Sequence, residues 1–201
     1  MARMAVAERR AALVQAALRI IASQGVAAAT TRAITAEAGM ALASFHYAFR
    51  SRDELIAELI AYVVENESLA AQRPLEPGLD LESTIRIGLL GYLDLVAADP
   101  ARELAMFELT QYALRTDELG EAARAQYASY HAAAEAVVKA AADLTGRTWS
   151  RPAGEIARIV VTLTDGLTLD WLVHRDDEAT RPVVDFAARA LAALADPPQE
   201  P

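Results

Sequence analysis

Between Thr31 and Arg52 the chain gathers side chains suited to holding a polyanion. They are the guanidiniums of Arg32 and Arg52, the hydroxyls of Thr31, Ser44 and Tyr47, and the imidazole of His46. Such groups donate hydrogen bonds to phosphate oxygens, and a guanidinium also matches the paired acceptors of a guanine edge. Bond-making chemistry finds no comparable support. His46, His131 and His174 stand far apart in sequence without a metal-ligand spacing, and there is no cysteine to serve as ligand, nucleophile or disulfide partner. The one close glycine pair, Gly88 and Gly91, falls in a helical pattern, and no Gly-x-Ser-x-Gly elbow occurs. The sequence predicts no catalytic residue, no metal and no cofactor, and an α-helical enzyme is the rival it supports least.

The elements that must position these side chains are short helices. Thr30 or Thr31 caps a helix over 31–38, Gly39 ends it, and a second short helix follows over 42–47. This is the layout of a helix-turn-helix. Ile34, Ala38, Met40, Phe45 and Phe49 are spaced to pack inward and fix the angle between the two helices. Leu42, Ala43, Ser44, His46 and Tyr47 are left outward. Small residues at Ala43 and Ser44 let the second helix sit deep in a major groove. Thr31, Tyr47 and Arg52 can then reach phosphates, and Arg32 a guanine edge. Ser51 and Glu54 have the spacing of a capping box that opens the next helix.

Charge is distributed to match. The 201 residues carry a net charge of −9, yet residues 1–54 hold seven arginines against four acids, leaving 12 basic and 24 acidic residues for the remainder. A polyanion is drawn to the first quarter and repelled by the rest. Arg3, Glu8, Arg9, Arg10 and Arg19 interrupt every apolar run that could form a signal peptide, and nowhere do about 18 uncharged apolar residues follow one another. These features, with the absence of cysteine, point to a soluble, cytoplasmic protein.

Around the pair of short helices, 3.6-residue periodicity predicts longer ones over 9–24, 52–71, 81–98, 100–115, 117–144, 152–175 and 179–195. Leu55, Leu59, Tyr62 and Val63 form the buried stripe of the helix over 52–71, which the proline-rich segment 73–78 ends. One segment is ambiguous. Residues 159–164 are β-branched, and Asp165-Gly166 before Leu167-Thr168-Leu169 is a hairpin signal. A lone hairpin among helices would leave its edges unpaired, so helix is favoured. The tail 197–201 is expected to fray.

The stretch from Thr31 to Leu55 resembles the DNA-binding head of the TetR/AcrR family of bacterial transcriptional regulators. It matches that pattern at Thr31, Ile34, Ala38-Gly39-Met40, Ala43-Ser44-Phe45-His46-Tyr47, Phe49, Arg52 and Leu55. It departs from it at Ala41 (often a capping serine or threonine), Ala43 (often glycine) and Ala48 (often histidine or tyrosine), where one phosphate contact is expected to be missing. The resemblance implies an all-α homodimer with a helix-turn-helix domain over 1–50 and a ligand-binding and dimerisation domain over 51–196. It also implies a double-stranded, palindromic operator, released when a small-molecule effector binds. The competing reading is a protein-interaction module that has lost DNA binding, against which Arg32, Tyr47 and Arg52 stand together.

Within the C-terminal part, Tyr92, Met106, Phe107, Gln111, Tyr127, Asp165 and Trp171 lie on or beside apolar faces and are the candidate ligand contacts. Gln111, Asp165 and Trp171 matter most, because a polar group on an apolar face needs a partner. Candidate dimer contacts are the apolar stripes of the last two helices: Ile156, Ile159, Val160, Leu163, Leu167, Val183, Val184, Phe186, Ala187 and Leu191.

Overall fold

A computed structural model describes residues 5–70, 75 and 77–196. Nine α-helices are found among them: α1 (Val6–Gln24), α2 (Thr31–Glu37), α3 (Leu42–Ala48), α4 (Arg52–Ala70), α5 (Leu81–Ala98), α6 (Pro100–Leu114), α7 (Gly120–Thr145), α8 (Ala153–His174) and α9 (Asp177–Ala192). No strand occurs among the described residues, where one isolated bridge joins Trp149 and Ala195. The frayed tail expected at 197–201 lies outside the described residues, as does half of the proline-rich break at 73–78.

The ambiguous segment at 159–169 is helix, in the middle of α8. Its β-branched residues have local reasons to stay helical. The Thr162 and Thr164 hydroxyls bond to the carbonyls of Arg158 and Val160 one turn back, and Ile156, Val161 and Leu167 reach the core. Burial of that stripe outweighs the small helix penalty of β-branching.

The chain forms two compact units. One combines the chain up to Asn66 with Ala101–Tyr127; the other combines Glu67–Pro100 with the chain from Ala128 onward. In the first, α1 buries Leu13, Ala16, Ala17, Ile20 and Ile21 against Ile34, Phe45 and Phe49 of the following segment and Leu55, Ile56, Leu59 and Ile60 of α4. Met106, Leu109 and Ala113 of α6 complete the same core. Tyr62, expected in the α4 stripe, is 36% exposed, and Ile56 and Ile60 fill the inner face instead. In the second unit, Leu89, Leu93 and Val96 of α5 pack on Leu167 and Trp171 of α8 and on Val184 and Ala187 of α9. A neighbouring cluster joins Val138, Ile156 and Leu191. No helix among the described residues is long and apolar enough to cross a membrane.

Candidate nucleic-acid interface

The turn between α2 and α3 is set by hydrogen bonds that one glycine permits. Thr30 caps α2, its hydroxyl accepting from the Ala33 N–H at 3.2 Å. At the other end Gly39 takes φ +66°, a left-handed conformation that favours glycine. That lets the Met40 N–H reach the Thr35 carbonyl at 2.8 Å and the Gly39 N–H reach Ala36 at 3.0 Å, closing the last turn of α2. A Cβ at Gly39 would meet open space, so the backbone angle alone asks for glycine. Ala41 begins α3 with no side-chain cap, as its methyl requires.

Phe45 and Phe49 are buried beneath α3, their ring centroids 5.7 Å apart, with Ile34 beside them in the same core; Ala38 and Met40 pack at its margin. Leu42, Ala43, His46 and Tyr47 are exposed and Ser44 half-exposed. Arg32 is exposed at the start of α2, with Thr31 half-exposed beside it. The structure therefore groups seven of the eight expected contacts on the outer side of α2 and α3.

The eighth, Arg52, is placed otherwise. Its Nε donates to the Ala29 carbonyl at 2.7 Å, one terminal nitrogen donates to the Val26 carbonyl, and the other reaches the Tyr112 hydroxyl at 2.8 Å. Tyr112 in turn donates to Asp53 at 2.8 Å. Arg52 is thus a brace that satisfies the carbonyls of the turn between α1 and α2, with each of its three guanidinium nitrogens engaged within the head. Glu108 of α6 holds the same turn, accepting from the Val26 N–H at 2.7 Å. Gly25 just before it has φ +82°, and a Cβ there would come within 3.0 Å of the Glu108 carboxylate. Two features at that spot call for glycine.

Arg10 is a second brace. It donates to the Ala48 carbonyl at the end of α3 and to both Glu54 and Glu58 of α4, with its guanidinium 4.1 Å from the Phe49 ring centre. The Glu58 hydrogen bond is the main reason its pKa stands above the ordinary arginine value, despite partial desolvation. Glu54 accepts from the Arg50 N–H at 2.8 Å, which, with Arg10, lowers its carboxyl below the usual 4.5. The expected capping box is therefore half reciprocal. Ser51 caps the Glu54 N–H at 3.0 Å, but Glu54 reaches back one residue further, to Arg50. Ala48 is buried, so a larger phosphate-reaching side chain there would have to displace core packing.

Arg9 and Arg50 were not singled out by the sequence. The Arg9 guanidinium lies 4.9 Å from the centre of the exposed Tyr47 ring, and the Arg50 side chain is 95% exposed. Arg9 adds positive charge beside α3, and Arg50, although exposed, pairs with Glu54 at 3.6 Å. Periodicity identifies Arg9 only as off the apolar stripe of α1; the tertiary approach of α1 to α3 gives it a place.

The ligand candidates divide between the two units, Met106, Phe107, Gln111 and Tyr127 in the first and Tyr92, Asp165 and Trp171 in the second. Gln111 is exposed, not embedded in an apolar face, because the buried side of α6 is the one that carries Ala105, Leu109 and Ala113. Met106 is core. Trp171 is buried, its indole N–H donating to Asp177 at 2.7 Å, so its polar atom is satisfied by the start of α9. Tyr92 bonds Thr168 at 2.7 Å. Tyr127 lines a cleft of about 220 Å³ with Thr110, Leu114, Ala123 and Arg124.

Of the dimer candidates, Ile156, Leu167, Val184, Ala187 and Leu191 are buried within their own unit and are unavailable to a partner. Ile159, Val183 and Phe186 are exposed, Val160 and Leu163 half-exposed. The outer side of α8 also carries Leu169 and Val173.

An all-helical chain whose short second helix stands exposed after a left-handed glycine turn, on a basic head, is a helix-turn-helix transcriptional regulator. Residues 13–59 match the profile of the bacterial regulatory proteins of the TetR family, and residues 83–196 that of the C-terminal part of BetI-type transcriptional repressors. The chain belongs to the TetR family. It is 26% identical over 183 residues to the nicotine-responsive transcriptional repressor HdnoR of Paenarthrobacter nicotinovorans, covering 91% of this chain and 93% of that one. The multidrug-binding protein EbrR, solved with ethidium, is 26% identical with a TM-score of 0.65, over 88% of this chain and 96% of its own. A transcriptional regulator from Rhodococcus sp. Rha1 shares the fold at 21% identity, TM-score 0.73, over 94% and 98%. The protein is a DNA-binding, ligand-responsive transcriptional regulator.

Proposed function

We propose that the chain works as a homodimeric repressor whose two α3 helices enter successive major grooves of a palindromic operator. A small ligand bound in the helical domain then releases it. The observation that carries this reading is the separation of duties among the arginines of the head. Arg10 and Arg52 are committed to holding α3 and its supports, while Arg32, Arg50 and the Tyr47 ring with Arg9 over it remain outward. In this reading Thr31, Tyr47, Arg9 and Arg50 touch phosphates. Arg32, Leu42, Ala43, Ser44 and His46 face the bases.

The dimer surface consists of the outer stripes of α8 (Ile159, Leu169, Val173) and α9 (Val183, Phe186), flanked by Val160 and Leu163. Phe186, 69% exposed, and Val173, 68% exposed, are large apolar side chains that a second copy would cover. The effector is a small aromatic molecule. Supporting this are HdnoR, which responds to nicotine, and EbrR, which is solved with ethidium. Tyr127 and Phe107 are the aromatic side chains proposed to meet it.

The test is a mobility shift on DNA beside the gene, run at two salt concentrations, with light scattering on the free protein. A dimer should bind one sequence in preference to unrelated DNA, and affinity should fall as salt rises because phosphate contacts release counterions. Nicotine or ethidium should weaken the complex. A monomer at micromolar concentration, or binding indifferent to sequence, contradicts the proposal.

A further inference from the structure

We propose that the outward face of α3 selects its operator through thymine methyl groups, with Leu42 and Ala43 as the side chains that touch them. This rests on the reading above, that α3 lies in a major groove, and names what it recognises there. The seven residues Leu42–Ala48 include no arginine, lysine, asparagine, glutamine or carboxylate. Those are the side chains whose paired or forked polar atoms tell guanine, adenine and cytosine apart at the major-groove edge. Phe45 and Ala48 are buried underneath, so the face offered outward is Leu42, Ala43, Ser44, His46 and Tyr47.

Neighbouring guanidiniums do not make up the deficit on α3 itself. Arg10 is held by the Ala48 carbonyl, Glu54 and Glu58, and Arg52 by the Val26 and Ala29 carbonyls and the Tyr112 hydroxyl. Arg32 stands on α2 and Arg50 beyond the end of α3. Beside the single polar groups of Ser44, His46 and Tyr47, α3 presents apolar carbon at its start. Leu42 is 39% exposed between the exposed Ala41 and Ala43. The 5-methyl of thymine is the apolar group that a base pair displays in the major groove, and small aliphatic side chains are its usual contacts. A leucine beside an alanine can enclose that methyl, while the single hydrogen bonds of Ser44 and His46 tolerate more than one base.

Uracil differs from thymine only by that methyl, which gives a clean test. Duplexes bound by the full-length protein are selected from a random pool, and each thymine of the selected half-site is replaced in turn by uracil. Burying one methyl against aliphatic carbon corresponds to about fourfold in affinity, about 15-fold when both half-sites are changed. At least one thymine per half-site should show that loss. In the variant carrying Leu42→Ala and Ala43→Gly, with helix content checked by circular dichroism, the thymine-to-uracil ratio should fall towards one. The inference is overturned if uracil is neutral at every position, or if the ratio is unchanged in that variant. A pool that yields no preferred sequence overturns the operator reading beneath it as well, so the two failures are told apart.

Discussion

The two compact units differ in emphasis in how they use polar and apolar side chains, although Leu114 of the first is also exposed and Arg147 of the second also donates to backbone carbonyls. In the unit built on α1–α4 and α6, charged groups turn inward to backbone. Arg52 reaches the Val26 and Ala29 carbonyls, Arg10 the Ala48 carbonyl, and Glu108 the Val26 N–H. In the unit built on α5, α8 and α9, large apolar groups turn outward, with Leu169, Val173 and Phe186 each more than half exposed. Short helices of seven residues bury too little to fix their own orientation, so directional bonds to the connecting turns do that work. Long helices have apolar surface to spare, and the surplus is available for association. In the function proposed above, the first unit aims α3 and the second pairs.

Breaking the second arrangement should have the largest effect. Replacing both Val173 and Phe186 by glutamate is expected to give a monomer in light scattering. Operator affinity should fall on the order of 100-fold, because two linked heads bind far more tightly than one. The helical circular dichroism spectrum should be retained, since neither side chain is core. A variant that stays dimeric would place the pairing surface elsewhere.

The next largest effect concerns Arg52. Loss of its hydrogen bonds to two carbonyls and the Tyr112 hydroxyl in Arg52→Ala should cost about 2–3 kcal/mol. That is a fall of roughly 5–10 °C in Tm for a chain of this size. Arg52→Lys should recover little of it, since an ammonium cannot span three acceptors in that fork. Unchanged Tm with weakened DNA binding would restore Arg52 to the DNA-contacting set.

Acid should loosen the same network. Glu54 has its carboxyl lowered from 4.5, first by the Arg50 N–H and then by Arg10. A carboxylate with a depressed folded-state pKa contributes stability above its unfolded value and loses it as pH falls through the folded one. Thermal unfolding should therefore occur at progressively lower temperature from about pH 5 downward. Glu54→Gln should flatten that slope while lowering stability near neutrality. An identical pH profile in the variant would remove Glu54 from the account.

The smallest effect is expected at Arg19. Its bond to Glu37 is short, 2.7 Å, but both side chains are well exposed. Arg19→Ala should change stability by less than about 0.5 kcal/mol. A large loss there would blur the distinction between braces and surface pairs.

Much of this organisation was legible in the residues. Thr30, Gly39 and the inward set Ile34, Phe45 and Phe49 specify the helix-turn-helix through local capping and spacing, which a sequence displays directly. The role of Arg52 was not legible. An arginine at the start of a helix reads alike as a phosphate contact or a brace, and the deciding partner, Tyr112, lies 60 residues away. Gln111 was misplaced for a related reason, because α6 has apolar residues on more than one side and periodicity does not say which side the chain covers. The same ambiguity ran through α8 and α9. Ile156, Leu167 and Leu191 belong to inner stripes and Ile159, Leu169 and Phe186 to outer ones, and only packing distinguishes them.

The central claim, that α3 and the start of α2 form the reading surface while Arg10 and Arg52 only support it, is tested most directly by paired measurements on single variants. Operator affinity and Tm are determined for wild type, Tyr47→Ala and Arg32→Ala under one salt condition. Both variants should bind at least about tenfold more weakly, as loss of one phosphate or base contact implies, with Tm unchanged. Wild-type affinity in either variant would contradict the claim.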